Sequence, residues 1–262
     1  MERNMRTSRA IRGAFTLIEL LLVVAIISLL IAILLPTLKK ARTAARTATC
    51  AASQRQLAFC YNQYTRENFG KSFIYIGNIG QVTFDNFWMS LLENYSGEMD
   101  DLRICPEAAQ KSLVGVGTAT LAWSGHTSVG TGDTWLAAGG DYHYGSFALN
   151  GWLYRGWGSS WIRLNDHSLD MSNTPVLGDS VWVDGWPDTF DMPADNLIEP
   201  YRTYQNGGPV PPQMARWTVD RHFRAINVTT LDGACRLTPL RNLWSFKWSK
   251  SFVPNAFTPP GL

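Results

Sequence analysis

Charge is scarce in this chain of 262 residues: Asp, Glu, Lys and Arg make up only 17%, and 23 Lys+Arg against 21 Asp+Glu leave a formal charge of +2. That scarcity excludes a solvated acidic or basic tail. With 45% hydrophobic and 12% aromatic residues the chain has apolar surface enough to fold. A concentrated basic face is missing too, so no nucleic-acid partner is expected. No H-E-x-x-H, G-x-S-x-G, phosphate loop or CxxC pair occurs, and no enzyme is expected. Cysteines number four, at positions 50, 60, 105 and 235. Cys50 and Cys60 on one helix would lie ~15 Å apart, too far for a bond whose Cα atoms are within about 7 Å. Two disulfide pairings, or free thiols, remain.

What the chain does have is one long apolar run. Residues 15–35, FTLIELLLVVAIISLLIAILL, contain a single charge, Glu19. As a helix the run is ~31 Å long, the thickness of a hydrocarbon core. A signal peptide has a shorter apolar core and a small-residue cleavage site, whereas this run ends on Pro36-Thr37-Leu38-Lys39-Lys40. Arg3, Arg6, Arg9 and Arg12 precede it, and Lys39, Lys40, Arg42 and Arg46 follow, so the charge rule does not set the orientation. The Trp- and Gly-rich bulk with its cysteines is expected outside the cytoplasm.

Glu19 carries more information than the rest of the run. A carboxylate inside a spanning helix costs about 2.5 to 3.5 kcal/mol on insertion scales and marks a function with a partner. Gly13-Ala14-Phe15-Thr16-Leu17-Ile18-Glu19-Leu20 resembles the processing and methylation signal of type IV pilins and type II secretion pseudopilins, GFTLxE. The resemblance implies cleavage by prepilin peptidase on the cytoplasmic side and methylation of the new amine. It also implies assembly with other pilins or pseudopilins, as a homo-oligomer, on an inner-membrane platform. The family normally has Gly before the cut and Glu at the fifth mature position. Here the Glu register places the cut between Ala14 and Phe15, with Gly13 second from it. There is a physical reason to keep that register. When parallel helices stack with an axial offset, the freed ammonium of one chain lies in apolar surroundings and needs an anion, which a neighbour's Glu19 supplies. Either charge alone is stranded at about 3 to 5 kcal/mol.

Beyond the run, Pro36 removes a backbone donor, so a kinked or locally melted helix is expected there. The alanine-rich stretch that follows continues the helix to about Glu67. Leu57, Cys60, Tyr61 and Tyr64 form its buried face, while the part up to about Ala52 reads as solvated, with a basic juxtamembrane collar facing lipid. The expected division is a leader over 1–14, a transmembrane helix over 15–36, its extension over 37–69 and a globular β-rich domain over 70–262.

In that domain, 73–76, 102–106, 174–183 and 225–237 read as strand regions and 85–95 as a short helix. Residues 125–172 and 184–220 read as long connections. The expected fold is α+β, a long N-terminal transmembrane helix packed on an antiparallel β-sheet with long loops, pilin-like. Further landmarks extend the resemblance. His222, nine residues, then Asp232-Gly233 matches an H-X9-DG element of pseudopilin-like proteins. Cys105-Pro106, Tyr144 through Asn150, and Pro175 through Asp179 fall where such proteins carry CP, Y..N and P-x-x-L-x-D elements, and the segment from Cys50 to Leu57 loosely matches C-x-x-N-L-K-Q-L.

His222 and Asp232 invite a catalytic reading, but an extended strand between them separates the two by ~33 Å. His222 is expected instead to anchor a strand start, with Asp179 as a partner, and Asp232-Gly233 to form a type I′ turn. No cofactor is expected: the acidic loop residues read first as solvated carboxylates, and a bound calcium is the alternative. That ion would be held by the loop carboxylates Asp133, Asp141, Asp166, Asp170, Asp184, Asp188, Asp191 and Asp195, as in some major pseudopilins. Trp152, Trp157, Trp161, Trp182 and Trp186 offer either a glycan-stacking platform or core packing. The leading reading is a prepilin-like subunit of a secretion pseudopilus or type IV pilus. It would be anchored in the inner membrane with its N-terminus cytoplasmic and its C-terminal domain periplasmic or extracellular. The alternatives are an envelope-anchored glycan- or cargo-binding module and a membrane-tethered hydrolase using His222.

Overall fold

The computed structural model describes residues 17–74, 88–97, 99–111, 115–124, 144–156, 159–200 and 212–262. The chain divides into two compact units, Met1–Arg42 and Thr43–Leu262, and helix α1 (Leu17–Glu67) contributes to both. α1 runs through Pro36 without a break. The proline leaves the Ala32 carbonyl without its amide partner, while the next residue's hydroxyl, on Thr37, donates to Leu34 O at 2.8 Å.

Within the second unit, the buried residues of α1 are Cys50, Gln54, Leu57, Ala58, Cys60, Tyr61 and Thr65, spaced as one helix face. The expected residues of that face are buried except Tyr64, which is half-buried against Phe73 at 4.5 Å between ring centroids. The face also reaches further back than the apolar pattern indicates. Cys50 is fully buried although its surroundings are alanine, because it meets polar groups of the sheet. α1 ends on Phe69 and Gly70, both at positive φ, with Gly70 N donating to Thr65 O.

Then come α2 (Trp88–Ser96), α3 (Met99–Leu102) and a 3-10 turn at Pro106–Ala108. The expected strand over 102–106 is therefore not present: Cys105 is extended, and Pro106, with φ already set for a turn, starts the 3-10 turn. Of the other expected elements, Asp85, Asn86 and Phe87 lie outside the described residues, as do residues 75 and 76. Phe73 is buried and Ile74 forms an isolated bridge with Arg155.

Strands β1 (Gln110–Lys111), β2 (Leu121–Ser124) and β3 (Tyr144–Gly145) make a small sheet, with β1–β2 parallel and β2–β3 antiparallel. The main sheet has five strands: β4 (Phe147–Asn150), β5 (Pro175–Asp179), β6 (Asp184–Gly185), β7 (Ala225–Thr230) and β8 (Cys235–Pro239). Their order is β6-β4-β5-β7-β8. It is antiparallel from β4 to β8, and β6 joins β4 in parallel. An α+β arrangement of a long helix and a mainly antiparallel sheet is what the sequence predicts. Three strands fall in stretches expected to be connections, β3 and β4 within 125–172 and β6 within 184–220. β4 reads as connection because both faces of Phe147–Asn150 are buried and no apolar–polar alternation marks it.

Every residue of β4, β5 and β7 is buried, so both faces of the sheet are covered. Period 2 separates the layers. Phe147, Leu149 and Leu177 join Leu57, Tyr61 and Phe73 on the α1 side, whereas Ala148, Ile226 and Val228 pack on Trp217, Trp244 and Trp248. The second layer is built from C-terminal loops and a 3-10 segment at Leu240–Ser245 rather than from long helices. It accounts for part of the chain's wealth of tryptophan.

Candidate functional site

Two regions carry chemistry, one in each unit. In the first, residues 17–42 form a helix long and apolar enough to cross a bilayer, with none of that apolar stretch buried. Leu20, Leu21, Ile26, Ile27, Ile33 and Leu34 are all exposed, a surface that requires lipid or other helices to cover it. Glu19 lies in the first turn and is exposed. The hydroxyls in the run do not spoil it, since Ser28 donates to Val24 O at 2.6 Å and Thr37 to Leu34 O. Gly13, Ala14 and Phe15, the expected processing residues, lie outside the described residues.

The second region is a buried cluster beneath the sheet's α1 face. The chain reverses just after His222 through two consecutive left-handed residues, Phe223 and Arg224, both at φ 55. That turn lets His222 N donate to Ala225 O, starting β7 with the imidazole directed inward. His222 Nε2 lies 3.3 Å from Asp179 Oδ2, at the end of β5, and 3.5 Å from Cys105 Sγ. Cys50 on α1 donates its thiol to Asp179 Oδ1 at 3.1 Å. Ligating atoms of Cys50, Cys105, Asp179 and His222 all lie within 4.8 Å of one another. Among the described residues this is the one convergence of such groups found.

The surroundings hold these four in place. Arg221 is buried with Nη1 3.8 Å from Asp179 Oδ1, and it donates to the carbonyls of Ser180 at 3.1 Å and Thr118 at 2.8 Å and to that of Ser146. The Asn227 amide donates to Asp179 Oδ2 at 2.7 Å. From α1, Thr47 Oγ1 sits 3.1 Å from His222 Nδ1, and the Gln54 amide 3.2 Å from Thr229 Oγ1. Thr47, Cys50 and Gln54 thus make a polar seam one turn apart along the helix. Burial pushes the Asp179 carboxyl up, but the bond and charge of His222, the charge of Arg221 and the Asn227 amide outweigh it and hold it below the usual carboxylate range. For His222 burial works against the charged ring, and the bonds to Asp179 and Cys105 prevail, raising it to about 10. Burial raises the Cys50 thiol.

The geometry is not that of a nucleophile–histidine–carboxylate relay. Such a relay places the acid on one ring nitrogen and the nucleophile on the other. Here Nε2 faces both, and Nδ1 faces Thr47.

Asp232 does not meet His222. Its Oδ1 accepts from Thr230 Oγ1 at 2.6 Å and Ala234 N at 3.0 Å, closing the β7–β8 turn. Only Gly233 has positive φ in that turn, so it is not type I′. Gly233 N donates to Thr230 O and the left-handed glycine absorbs one extra residue. The loop carboxylates are engaged separately: Asp166 with Ser168, Asp170 with Ser172, Asp184 with Arg216, and Asp191 with the amides of Asp188 and Met214. Asp133 and Asp141 lie outside the described residues, as does Trp157. Trp152, Trp182 and Trp186 pack against the core on the α1 side.

Sequence reasoning names Asp179 as the histidine's partner but does not bring Cys50, Cys105, Thr47 and Arg221 to the same point. The signal was present in another form. The segments beginning at Cys50, Cys105, Pro175 and His222, each singled out in the sequence, supply one of the four clustered side chains apiece.

Residues 9–35 match the family model of the prokaryotic N-terminal methylation motif. No curated protein and no solved structure matches the chain. That motif, together with an exposed apolar helix and an α+β arrangement, supports a type IV pilin- or pseudopilin-like membrane protein. Its N-terminal helix fits a single-pass anchor in the inner membrane.

Proposed function

We propose that the chain is a structural subunit of a type II secretion pseudopilus or type IV pilus, processed by prepilin peptidase after Ala14 and assembled through its N-terminal helix. The carrying observation is the position of one exposed carboxylate, Glu19, in the first turn of an otherwise uncharged and uncovered apolar stretch. Removal of residues 1–14 would place the Phe15 amine four residues before that carboxylate. Helices sliding past one another would then gain a buried ion pair at one axial offset only. The apolar stretch would lie in lipid before assembly and against neighbouring subunits after it. Residues 70–262 would be displayed on the periplasmic or extracellular side.

The test is Glu19→Gln in full-length protein in the native host. We expect normal membrane insertion, an N-terminus at Phe15, and loss of the subunit from sheared filaments. Incorporation at the level of the unmodified protein would overturn the reading. A mature N-terminus at Ala14 would overturn the register.

A further inference from the structure

We propose that Cys50, Cys105, Asp179 and His222 form a closed binding site for one zinc-class divalent cation, which pins α1 to the sheet. Two thiols, an imidazole and a carboxylate make a mixed sulfur, nitrogen and oxygen set that suits zinc far better than magnesium or calcium. All four residues are buried, so no position is left open to solvent, which is the mark of a structural site.

Two of the six edges match those of a tetrahedral site, and the remaining ligand-atom pairs lie within 4.8 Å. Bonds of about 2.3 Å to sulfur and about 2.0 Å to nitrogen and oxygen, at tetrahedral angles, give edges of about 3.5 Å from sulfur to nitrogen and about 3.3 Å from nitrogen to oxygen. Cys105 Sγ to His222 Nε2 is 3.5 Å, and His222 Nε2 to Asp179 Oδ2 is 3.3 Å. Cys50 Sγ closes from the helix side at 3.1 Å from Oδ1 of the same carboxylate.

The second shell fixes the ring. The Thr47 hydroxyl has one proton, which it donates to Thr43 O at 3.0 Å. Its oxygen therefore accepts from His222 Nδ1, so in the neutral ring the Nε2 lone pair points between a thiol sulfur and a carboxylate oxygen. A cation placed between them answers all three.

Charge closes the argument. Binding as two thiolates releases both thiol protons to solvent, together with any proton on Nε2. Two thiolates, one carboxylate, a dication and the Arg221 guanidinium then sum to zero, the state a buried polar site requires. The ligands come from α1, the residue before the 3-10 turn, the end of β5 and the approach to β7. The ion would cross-link segments far apart in sequence, without a CxxC spacing.

Full-length protein carrying no histidine tag, purified in detergent and reconstituted with zinc chloride under reducing conditions, tests this by elemental analysis and X-ray absorption. We expect about one zinc per chain, two sulfur and two nitrogen or oxygen neighbours, and a melting temperature that falls with chelator and recovers with zinc. Cobalt in its place should give a thiolate-to-metal absorption band. Cys105→Ser and His222→Gln should each weaken zinc binding more than tenfold with the far-ultraviolet spectrum kept. Folded wild-type protein that takes up no zinc and does not melt differently with it would overturn the proposal. So would recovery of a Cys50–Cys105 disulfide from native-host protein, or unchanged stoichiometry in both variants.

Discussion

Cys50 on α1 and Asp179 on β5 are 129 positions apart and meet with sulfur 3.1 Å from Oδ1, both fully buried. The contact joins the helix to the second-unit sheet at a point where α1 has no apolar side chain to offer. Removing the thiol with Cys50→Ala leaves a small void and takes a donor from a buried carboxylate, at a cost of about 1 to 3 kcal/mol. Denaturant unfolding of the full chain in detergent, followed by tryptophan fluorescence, reads the loss directly. An unchanged midpoint would show that the contact does not hold the helix.

Asp179 has a larger role, because it neutralises Arg221 and His222 together. Asp179→Asn strands the guanidinium in a site it cannot leave, since carbonyls of Thr118, Ser146 and Ser180 hold it. The expected loss is about 3 to 5 kcal/mol. Asp195→Asn, on an exposed loop, should stay within about 0.5 kcal/mol. Equal effects of the two substitutions would refute the account of the buried pair.

The contrast between α1 and this cluster shows what sequence can convey. The apolar run, the stripe of Leu57, Cys60 and Tyr61, and the glycine-containing turn between β7 and β8 are local patterns whose period or composition forces a structure. Cys50, Cys105, Asp179 and His222 share no local pattern. They are brought together by the register of β5 on β7 and by the crossing of α1, which only tertiary packing settles. β4 was hidden for a related reason, since a strand covered on both faces loses the alternation by which strands are recognised. Likewise Cys50 sits among alanines, so no hydrophobic stripe announces its burial.

Asp184 gives a prediction in pH. Burial raises its carboxyl to about 6 from 3.8, although Arg216 and the Tyr154 hydroxyl pull it down. A carboxyl raised on folding binds its proton more tightly in the native state. Its contribution is therefore fully present below about pH 4 and is lost as pH rises through 6. Between pH 4 and pH 7 the stability of Asp184→Asn should gain on that of the wild type by about 2 kcal/mol. Parallel unfolding curves at the two pH values measure this, and a gap that stays constant would contradict it.

Gly117 tests close packing at the small sheet. A Cβ there would lie 2.7 Å from Leu121 O and 2.9 Å from Trp123 N, both backbone atoms that cannot rotate aside. Gly117 N also donates to Val181 O at 2.9 Å, tying the segment down. Gly117→Ala is expected to cost about 1 to 3 kcal/mol. Gly156→Ala should cost only the strain of its positive φ, about 1 kcal/mol, since no atom lies within 4 Å of the added carbon. Thermal melts of the two variants side by side separate steric from conformational cost.

The left-handed pair Phe223 and Arg224 stores strain next to the cluster. A residue with a Cβ in that conformation costs about 1 to 2 kcal/mol, and the side chain of Phe223 recovers little of it by burial because it is 80% exposed. The strain persists because His222 N is bonded to Ala225 O and Arg224 N to the Asp220 carboxylate, so the reversal cannot relax. Glycine at 223 removes the steric cost but adds unfolded-state entropy worth about 0.5 to 1 kcal/mol. Phe223→Gly should therefore raise stability by up to about 1 kcal/mol, while Phe223→Ala, which keeps the Cβ, leaves it nearly unchanged. If the glycine variant is instead less stable than the alanine variant by more than about 1 kcal/mol, the turn is not strained, and the inward set of His222 must come from its partners alone.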